Sequence, residues 1–170
     1  GLTAQQREIL SNTTYVLDEA LRSVREISNN LSPQVLLDFG LRQAVQNFTT
    51  RSSSLHGGTI KFNTTLRAER FDNDVEVIIY RVICELINNS LKHSGCNTIT
   101  LELEYENNTI TLHYSDNGRG FDPQAMMDCG MGLSNMSSRI GSLGGTFNIN
   151  STKGSGMTAT ACVQVNSSTV

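Results

Sequence analysis

A polar stripe in an otherwise apolar segment is the first candidate for chemistry. Residues 75–91 are rich in Val, Ile and Leu, and the stripe at positions i, i+4, i+7 and i+8 comprises Glu85, Asn89, Lys92 and His93. In a helix this spacing places the four side chains on one face. Because a buried charge without a partner is costly, the stripe must meet solvent or a polar ligand. It indicates either a solvated flank or a site where a carboxylate and an amide hold a metal ion or water, next to cations for phosphate.

A second cluster, Asp116-Asn117-Gly118-Arg119-Gly120-Phe121, directly follows a predicted strand. Gly118 and Gly120 permit a positive φ and allow the backbone to approach a flat ligand closely. Asp116 supplies acceptor oxygens at the end of the strand. The alternative is an ordinary turn, because Asn-Gly is a common hairpin signal. The long glycine-marked loop that contains the cluster weakens this alternative.

Two further glycine clusters follow. Gly130-Met131-Gly132 immediately precedes a predicted helix, where free N–H groups make an anion site suited to phosphates. No Gly-Lys-Ser/Thr follows, which excludes a Walker A motif, and Asn135 stands where the dinucleotide fingerprint has its last glycine. Gly154-Ser155-Gly156-Met157-Thr158, taken alone, is typical of a hairpin turn.

The elements that must position these clusters follow from hydrophobic periodicity. Helices are predicted over 2–31, roughly 40–55, 72–93 and roughly 133–143. Strands are predicted over 60–66, 98–104, 109–115, 145–151 and 157–165, with a hairpin turn at Asn107-Asn108. This order predicts an α+β two-layer sandwich in which helices cover one face of a mostly antiparallel mixed sheet. A long N-terminal helix precedes it.

Composition excludes several classes of protein. The 170 residues carry a net charge of −3, which argues against a broad basic face for nucleic acid or an anionic membrane. No segment is long and apolar enough to span a membrane. The four cysteines lie in or beside apolar segments and favour reduced packing residues over a disulfide framework or a zinc site. Ser, Thr and Asn make up 51 of the 170 residues, as expected for a sheet with one wet face.

Together the four clusters resemble the ATP-binding domain of sensor histidine kinases, within the gyrase–Hsp90-type ATPase superfamily. Glu85–His93 resembles the N box, Asp116–Gly120 the G1 box and Gly130–Leu133 the G2 box. Gly154–Thr158 stands where the last glycine box belongs.

The resemblance narrows to the NarX/DesK-like class. Gly132-Leu133-Ser134-Asn135-Met136-Ser137-Ser138-Arg139 is similar to the characteristic helix start of that class, and the short loop 121–130 lacks an F box. Upstream, Ile27–Pro33 and Phe39-Gly40-Leu41 resemble the end of its dimerisation helix and the entry into its ATPase domain.

The resemblance implies roles for the phosphate-binding residues. Asn89 would coordinate Mg²⁺ on the ATP phosphates, and Glu85 would orient water or assist proton removal. Lys92 and His93 would lie near the phosphates. Arg119 and Arg139 are the further basic candidates for the triphosphate.

The resemblance also implies an adenine pocket and a lid. Asp116 would accept a hydrogen bond from the adenine amino group, and Gly118 and Gly120 would shape the purine pocket. Thr158 would lie near the adenine, although Met157 occupies the position where the family usually has Thr. The lid over the triphosphate is expected at the G2 box, with Gly130 and Gly132 as hinges and Leu133 in the nucleotide site.

The implied domains are the second helix of a dimerisation and phosphotransfer bundle over 1–33, the catalytic domain over 34–165 and a tail over 166–170. The histidines are His56, His93 and His113, and none lies in the first predicted helix. The phosphoacceptor helix is therefore expected upstream of Gly1, so that this fragment would bind ATP without being a self-sufficient protein-histidine kinase.

The implied partners are a response regulator and a second copy joined through the bundle of the full-length protein, with no nucleic acid. The domain is expected to be cytoplasmic, with membrane attachment only through upstream segments. One alternative is a nucleotide-binding regulatory module without kinase activity that acts by partner binding. A gyrase-like or Hsp90-like ATPase is disfavoured by the subclass run and by the kinase-like linker.

Overall fold

The structure is a computed structural model that describes residues 34–122 and 131–165, together with Thr13. The chain divides into two compact units, Gly1–Pro33 and Gln34–Val170. The helix predicted over 2–31 and the tail predicted over 166–170 lie outside the described residues. The elements below belong to the second unit.

The described part of the second unit is a five-stranded sheet with three α-helices. The helices are α1 (Gln34–His56), α2 (Asn73–Asn89), which a π-helical turn (Ser90–Ser94) continues, and α3 (Met131–Ser142). The strands are β1 (Thr59–Thr64), β2 (Thr98–Glu106), β3 (Thr109–Asp116), β4 (Thr146–Ser151) and β5 (Met157–Gln164). Their order in the sheet is β1-β2-β3-β5-β4, with β1 parallel to β2 and the other neighbours antiparallel. The predicted α+β fold with a mostly antiparallel mixed sheet is confirmed.

The helices bury one face of this sheet. Alternate residues of β2 are fully buried, namely Ile99, Leu101 and Leu103, and they join one core with the apolar side of α2. Side chains of a strand alternate between faces, so the intervening residues point away from the core. Burial of this apolar surface is the main force that holds helices and sheet together.

The other face of the sheet is polar. Thr100, Ser115, Thr158 and Asn150 lie side by side across four strands on this face. The hairpin turn between β2 and β3 is Asn107-Asn108, both with positive φ (50° and 57°), as the sequence predicts. The surplus of Ser, Thr and Asn is thus in part the composition of a sheet face that none of the described helices covers.

Helix α1 begins six residues earlier than predicted and bends at Gly40 (φ 78°, ψ 179°). The bend frees backbone carbonyls, and Arg70 Nη2 donates to the carbonyls of Leu36 (3.5 Å) and Leu37 (3.1 Å). The Arg70 guanidinium in turn pairs with the buried Glu76 carboxylate, with Nε 3.0 Å from Oε1. A residue 30 positions later along the chain therefore stabilises the first turns of α1.

The central helix ends differently from the prediction. Its α-helical part stops at Asn89, and the π-helical turn then runs to Ser94, where Gly95 (φ 65°) ends it. The Ser94 hydroxyl donates to the Ser90 carbonyl (2.8 Å). A π turn advances less per residue than an α turn, so Lys92 and His93 no longer share the face predicted from α-helical spacing.

Candidate nucleotide-binding site

A cavity of about 340 Å³ lies between the end of α2, the end of β3 and the start of α3. This volume falls at the lower end of the range typical of small-molecule sites. Of the described residues, those that line it are Leu86, Asn89, Ser90, His93, Ser94, Asp116, Arg119, Gly120, Phe121, Gly132, Leu133, Met136 and Met157. The structure thus brings together residues from all four clusters singled out in the sequence.

The Asp116 carboxylate lies in the wall of this cavity and is only 7% exposed. The Ser90 hydroxyl donates to its Oδ2 (2.7 Å), and the Gly118 N–H donates to its Oδ1 (2.7 Å). Hydrogen bonds to a carboxylate are among the stronger ones in proteins. Both oxygens are therefore fixed in position at the end of β3.

Glycines allow the loops around Asp116 to pack against one another. A Cβ at Gly118 would overlap the Ser94 side chain, and one at Gly120 (φ 59°) would overlap the Thr152 carbonyl. A Cβ at Gly156 (φ 74°) would overlap the Asp116 carbonyl. Gly120 lines the cavity, whereas Gly118 acts from behind through Ser94. The loop after β3 and the turn between β4 and β5 can approach this closely only without side chains.

Asn89 lines the cavity where α2 meets the first turn of α3, a region called the Asn89 end below, whereas Glu85, one helical turn earlier, does not line the cavity. Asn89 Nδ2 donates to Glu85 Oε1 at 3.5 Å, a long hydrogen bond. A Cβ at Gly132 would lie 3.4 Å from Glu85 Oε1 and 3.9 Å from Asn89 Nδ2. The predicted carboxylate–amide pair and the second glycine of the G2 box therefore face each other, with Leu133 beside them in the cavity wall.

The structure does not bring every predicted residue to the cavity. His93 lines it, but the exposed Lys92 does not. Thr158 lies on the uncovered face of the sheet, where its hydroxyl donates to the Asn150 carbonyl (3.4 Å). Its neighbour Met157 points into the cavity instead, as the alternation of a strand requires. The expected contact of Thr158 with adenine therefore needs correction.

Of the two other basic residues predicted to bind the triphosphate, only one lines the cavity. Arg119 lines the cavity, whereas Arg139, in the last turn of α3, does not. Gly130 lies outside the described residues. The sequence motifs did not include the cavity residue Ser94, and they contained Ser90, Phe121 and Met136 only as members of longer runs without a role of their own. The buried Met136 lies one helical turn after Gly132, a spacing that could have identified it.

The sequence also matches a known protein family. The family model for "Histidine kinase-, DNA gyrase B-, and HSP90-like ATPase" matches residues 73–167, more than half of the chain. The chain belongs to this ATPase family. The matched range contains α2, all three glycine clusters and all the residues that line the cavity.

Two relatives within this ATPase family are sensor histidine kinases. The oxygen sensor histidine kinase NreB of Staphylococcus carnosus (strain TM300) is 31% identical over 151 residues, which cover 85% of this chain and 43% of that protein. The sensor histidine kinase ComP of Bacillus subtilis (strain 168) is 31% identical over 145 residues, which cover 84% of this chain and 19% of that protein. The chain thus spans less than half the length of either relative.

A solved structure shares the fold. The crystal structure of full-length ShkA in complex with AMPPNP matches with a TM-score of 0.65 and 17% identity, over 100% of this chain and 41% of that chain. At this identity the likeness concerns the fold. Among residues 34–122 and 131–165, no helix combines the length and hydropathy needed to cross a bilayer.

Proposed function

We propose that this chain is the ATP-binding catalytic part of a two-component sensor histidine kinase. It would provide the γ-phosphoryl group of ATP to a histidine, from which the group passes to an aspartate of a response regulator. The observation that carries the proposal is one cavity lined both by a fixed carboxylate, Asp116, and by an amide, Asn89. The sequence relationship to two sensor histidine kinases supports it.

The residues suit a purine at the Asp116 end. A carboxylate accepts hydrogen bonds, and the 6-amino group of adenine donates them. The apolar side chains of Leu86, Met136 and Met157 line the same cavity and offer a surface for the flat ring. Asp116 would therefore select adenine, with Gly120 allowing the backbone to approach it.

The residues also suit a magnesium triphosphate at the Asn89 end. Mg²⁺ usually takes one or two oxygen ligands from the protein and the rest from phosphate and water. The side-chain oxygen of Asn89 would supply one such ligand, since the amide faces Glu85 through its Nδ2. When bound, Mg²⁺ neutralises phosphate charge.

The surrounding groups would position the phosphates. His93 and Arg119 are basic side chains that line the cavity. The N–H groups at the start of α3 favour anions. Glu85, 3.5 Å from the Asn89 amide, would orient water or take up a proton at its Oε1. Gly132 keeps α3 close to this pair.

The parent protein would supply the remaining parts. Residues 1–33 would form one helix of the dimerisation bundle, and two copies would pair through it. The acceptor histidine would come from another helix of that bundle. We place the domain on the cytoplasmic side, where the response regulator is available, with any membrane anchor elsewhere in the parent protein.

Calorimetry with ATP and ADP, with and without Mg²⁺, tests the proposal. We expect binding that Mg²⁺ strengthens, and we expect Asn89→Ala to lose the Mg²⁺-dependent part because its amide ligand is gone. Asn148→Ala, on the uncovered face of β4, is the matched control. Absence of nucleotide binding to the wild-type chain would refute the proposal. Binding without phosphoryl transfer to a supplied acceptor bundle would favour the regulatory module.

A further inference from the structure

Three polar side chains form a buried chain behind the adenine end of the cavity. Ser90 and Tyr114 are each 2% exposed, and Asp116 is 7% exposed. Tyr114 lies on β3, two residues before Asp116, and Ser90 lies at the start of the π-helical turn. Burial of polar groups is costly unless they are hydrogen-bonded to one another. The family roles inferred above use Asp116 and leave the two hydroxyl groups without a function.

The Asp116 carboxylate determines which group donates in each hydrogen bond between these three side chains. A carboxylate only accepts, so the Ser90 hydroxyl donates to Asp116 Oδ2 (2.7 Å). The Ser90 oxygen can then accept from the Tyr114 hydroxyl, 2.8 Å away. The same tyrosine hydroxyl also lies 3.2 Å from the Leu86 carbonyl, but the shorter contact to Ser90 needs Tyr114 as its donor, because the one Ser90 proton goes to Asp116. The protons therefore all point from Tyr114 through Ser90 towards Asp116.

The tyrosine stays a donor over the working pH range. Burial raises the pKa of Tyr114 well above its ordinary value, so the hydroxyl keeps its proton. The bond to Ser90 opposes this effect only in part. The Tyr114 hydroxyl is therefore protonated and able to donate to Ser90 at neutral pH.

This arrangement fixes the orientation of the Asp116 carboxylate. Oδ2 is held by Ser90 and Oδ1 by the Gly118 N–H, so rotation of the carboxylate would break two bonds. Each carboxylate oxygen retains a further lone pair for a ligand. A fixed acceptor matches the 6-amino group of adenine, whereas the 6-oxo group of guanine would meet it with its own lone pairs.

We propose that Ser90 and Tyr114 are positioning residues that set the selectivity of this site for a 6-aminopurine by holding Asp116. The proposal rests on the proposed function, since it assumes that a purine nucleotide occupies the cavity. Neither residue acts on the phosphates, which lie at the Asn89 end. Their removal should therefore change discrimination at position 6 of the purine and leave the phosphate contribution intact.

The experiment compares three triphosphates by calorimetry: ATP, GTP and purine riboside triphosphate, which lacks the 6-amino group. We expect wild-type protein to bind ATP most tightly. Ser90→Ala and Tyr114→Phe should weaken ATP binding roughly three- to tenfold, the worth of one hydrogen bond, while binding of purine riboside triphosphate changes little. Ser90→Thr keeps the hydroxyl and should restore the preference.

Tyr105→Phe is the matched control, because it removes a tyrosine hydroxyl that bonds to Asn108 Oδ1 (3.1 Å) far from Asp116. Circular dichroism establishes that each variant is folded. Equal weakening of all three nucleotides, or an unchanged ATP preference in both variants, would overturn the positioning role. Failure of wild-type protein to bind ATP, or to prefer it over purine riboside triphosphate, would instead count against the proposed function.

Discussion

The two ends of the cavity are held in different ways. At the Asp116 end, two hydrogen bonds of 2.7 Å fix the carboxylate, and Gly120 and Gly156 pack against backbone with no room for a Cβ. At the Asn89 end, the amide makes a 3.5 Å bond to Glu85, and Gly132 has room for a Cβ at 3.4 Å. The first end is close-packed and the second is loosely connected.

Ligand binding and fold stability depend on the same residues at the Asp116 end, but on different residues at the Asn89 end. At the Asp116 end the residues that would recognise a ligand also hold together β3, the π-helical turn and the turn between β4 and β5. At the Asn89 end the polar groups contribute little to the fold, so they are available to metal and phosphate. Substitutions at the two ends should therefore have opposite signatures in stability and in binding.

The largest effect is expected from Gly156→Ala. Its φ of 74° disfavours a side chain, and the new Cβ would overlap the Asp116 carbonyl. Backbone strain of roughly 1–2 kcal/mol and overpacking of roughly 1–3 kcal/mol should together lower the free energy of unfolding by about 3 kcal/mol. Urea denaturation measures this change.

Two glycines provide matched controls for this substitution. Gly154 has a φ of 87° but nothing within 4 Å of a new Cβ, so Gly154→Ala isolates the strain of about 1–2 kcal/mol. Gly132→Ala at the Asn89 end should not lower stability and can raise it by up to roughly 0.5–1 kcal/mol, since Ala favours a helix over Gly. A Gly156→Ala variant as stable as Gly154→Ala would contradict the close packing at the Asp116 end.

A second, smaller difference is expected between the two ligand-binding side chains. Asp116→Ala leaves the buried Ser90 hydroxyl and the Gly118 N–H without their acceptor and should cost roughly 1–3 kcal/mol of stability without any nucleotide. Asn89→Ala removes one long hydrogen bond and should change stability by only about 0.5 kcal/mol. Thermal or urea unfolding of the nucleotide-free variants checks this order, and equal losses would remove the distinction between the two ends.

The sequence predicted the parts of this fold that depend on local patterns. Alternation gave β2, β3 and their Asn107-Asn108 turn nearly to the residue, and the motifs led to Asp116 and Asn89. The bend at Gly40 was not predicted, because it depends on Arg70 from a distant part of the chain.

The end of α2 is a second feature, within the candidate site, that the sequence pattern did not predict. α-helical spacing placed Lys92 and His93 on the face of Glu85 and Asn89, but the π-helical turn changes the spacing after Asn89, and only His93 lines the cavity. Apolar and polar periodicity does not reveal one extra residue in a turn. The contact between Ser90 and Tyr114 joins residues 24 positions apart and is visible only in three dimensions.

The smallest effect concerns alkaline pH and again involves the Asp116 end. Burial raises the pKa of Tyr114 and Tyr80 above their ordinary value of 10.0, and raises the pKa of Cys84 from 9.0 to about 12. Above pH 9 the unfolded chain therefore releases protons that the folded chain keeps. The stabilisation is complete below pH 9 and is lost as the pH rises.

Urea unfolding between pH 8 and 11 should show this decline in the wild-type chain. Tyr114→Phe removes one of the three groups, so its stability should fall less steeply, by up to about 1.4 kcal/mol per pH unit where the unfolded tyrosine is ionised. Ser90→Ala also breaks the bond to Tyr114 but keeps the titrating group, and it should retain a wild-type slope. If Tyr114→Phe and the wild-type chain had the same slope, Tyr114 would not be the protonated, buried donor on which the rigidity of the Asp116 end depends.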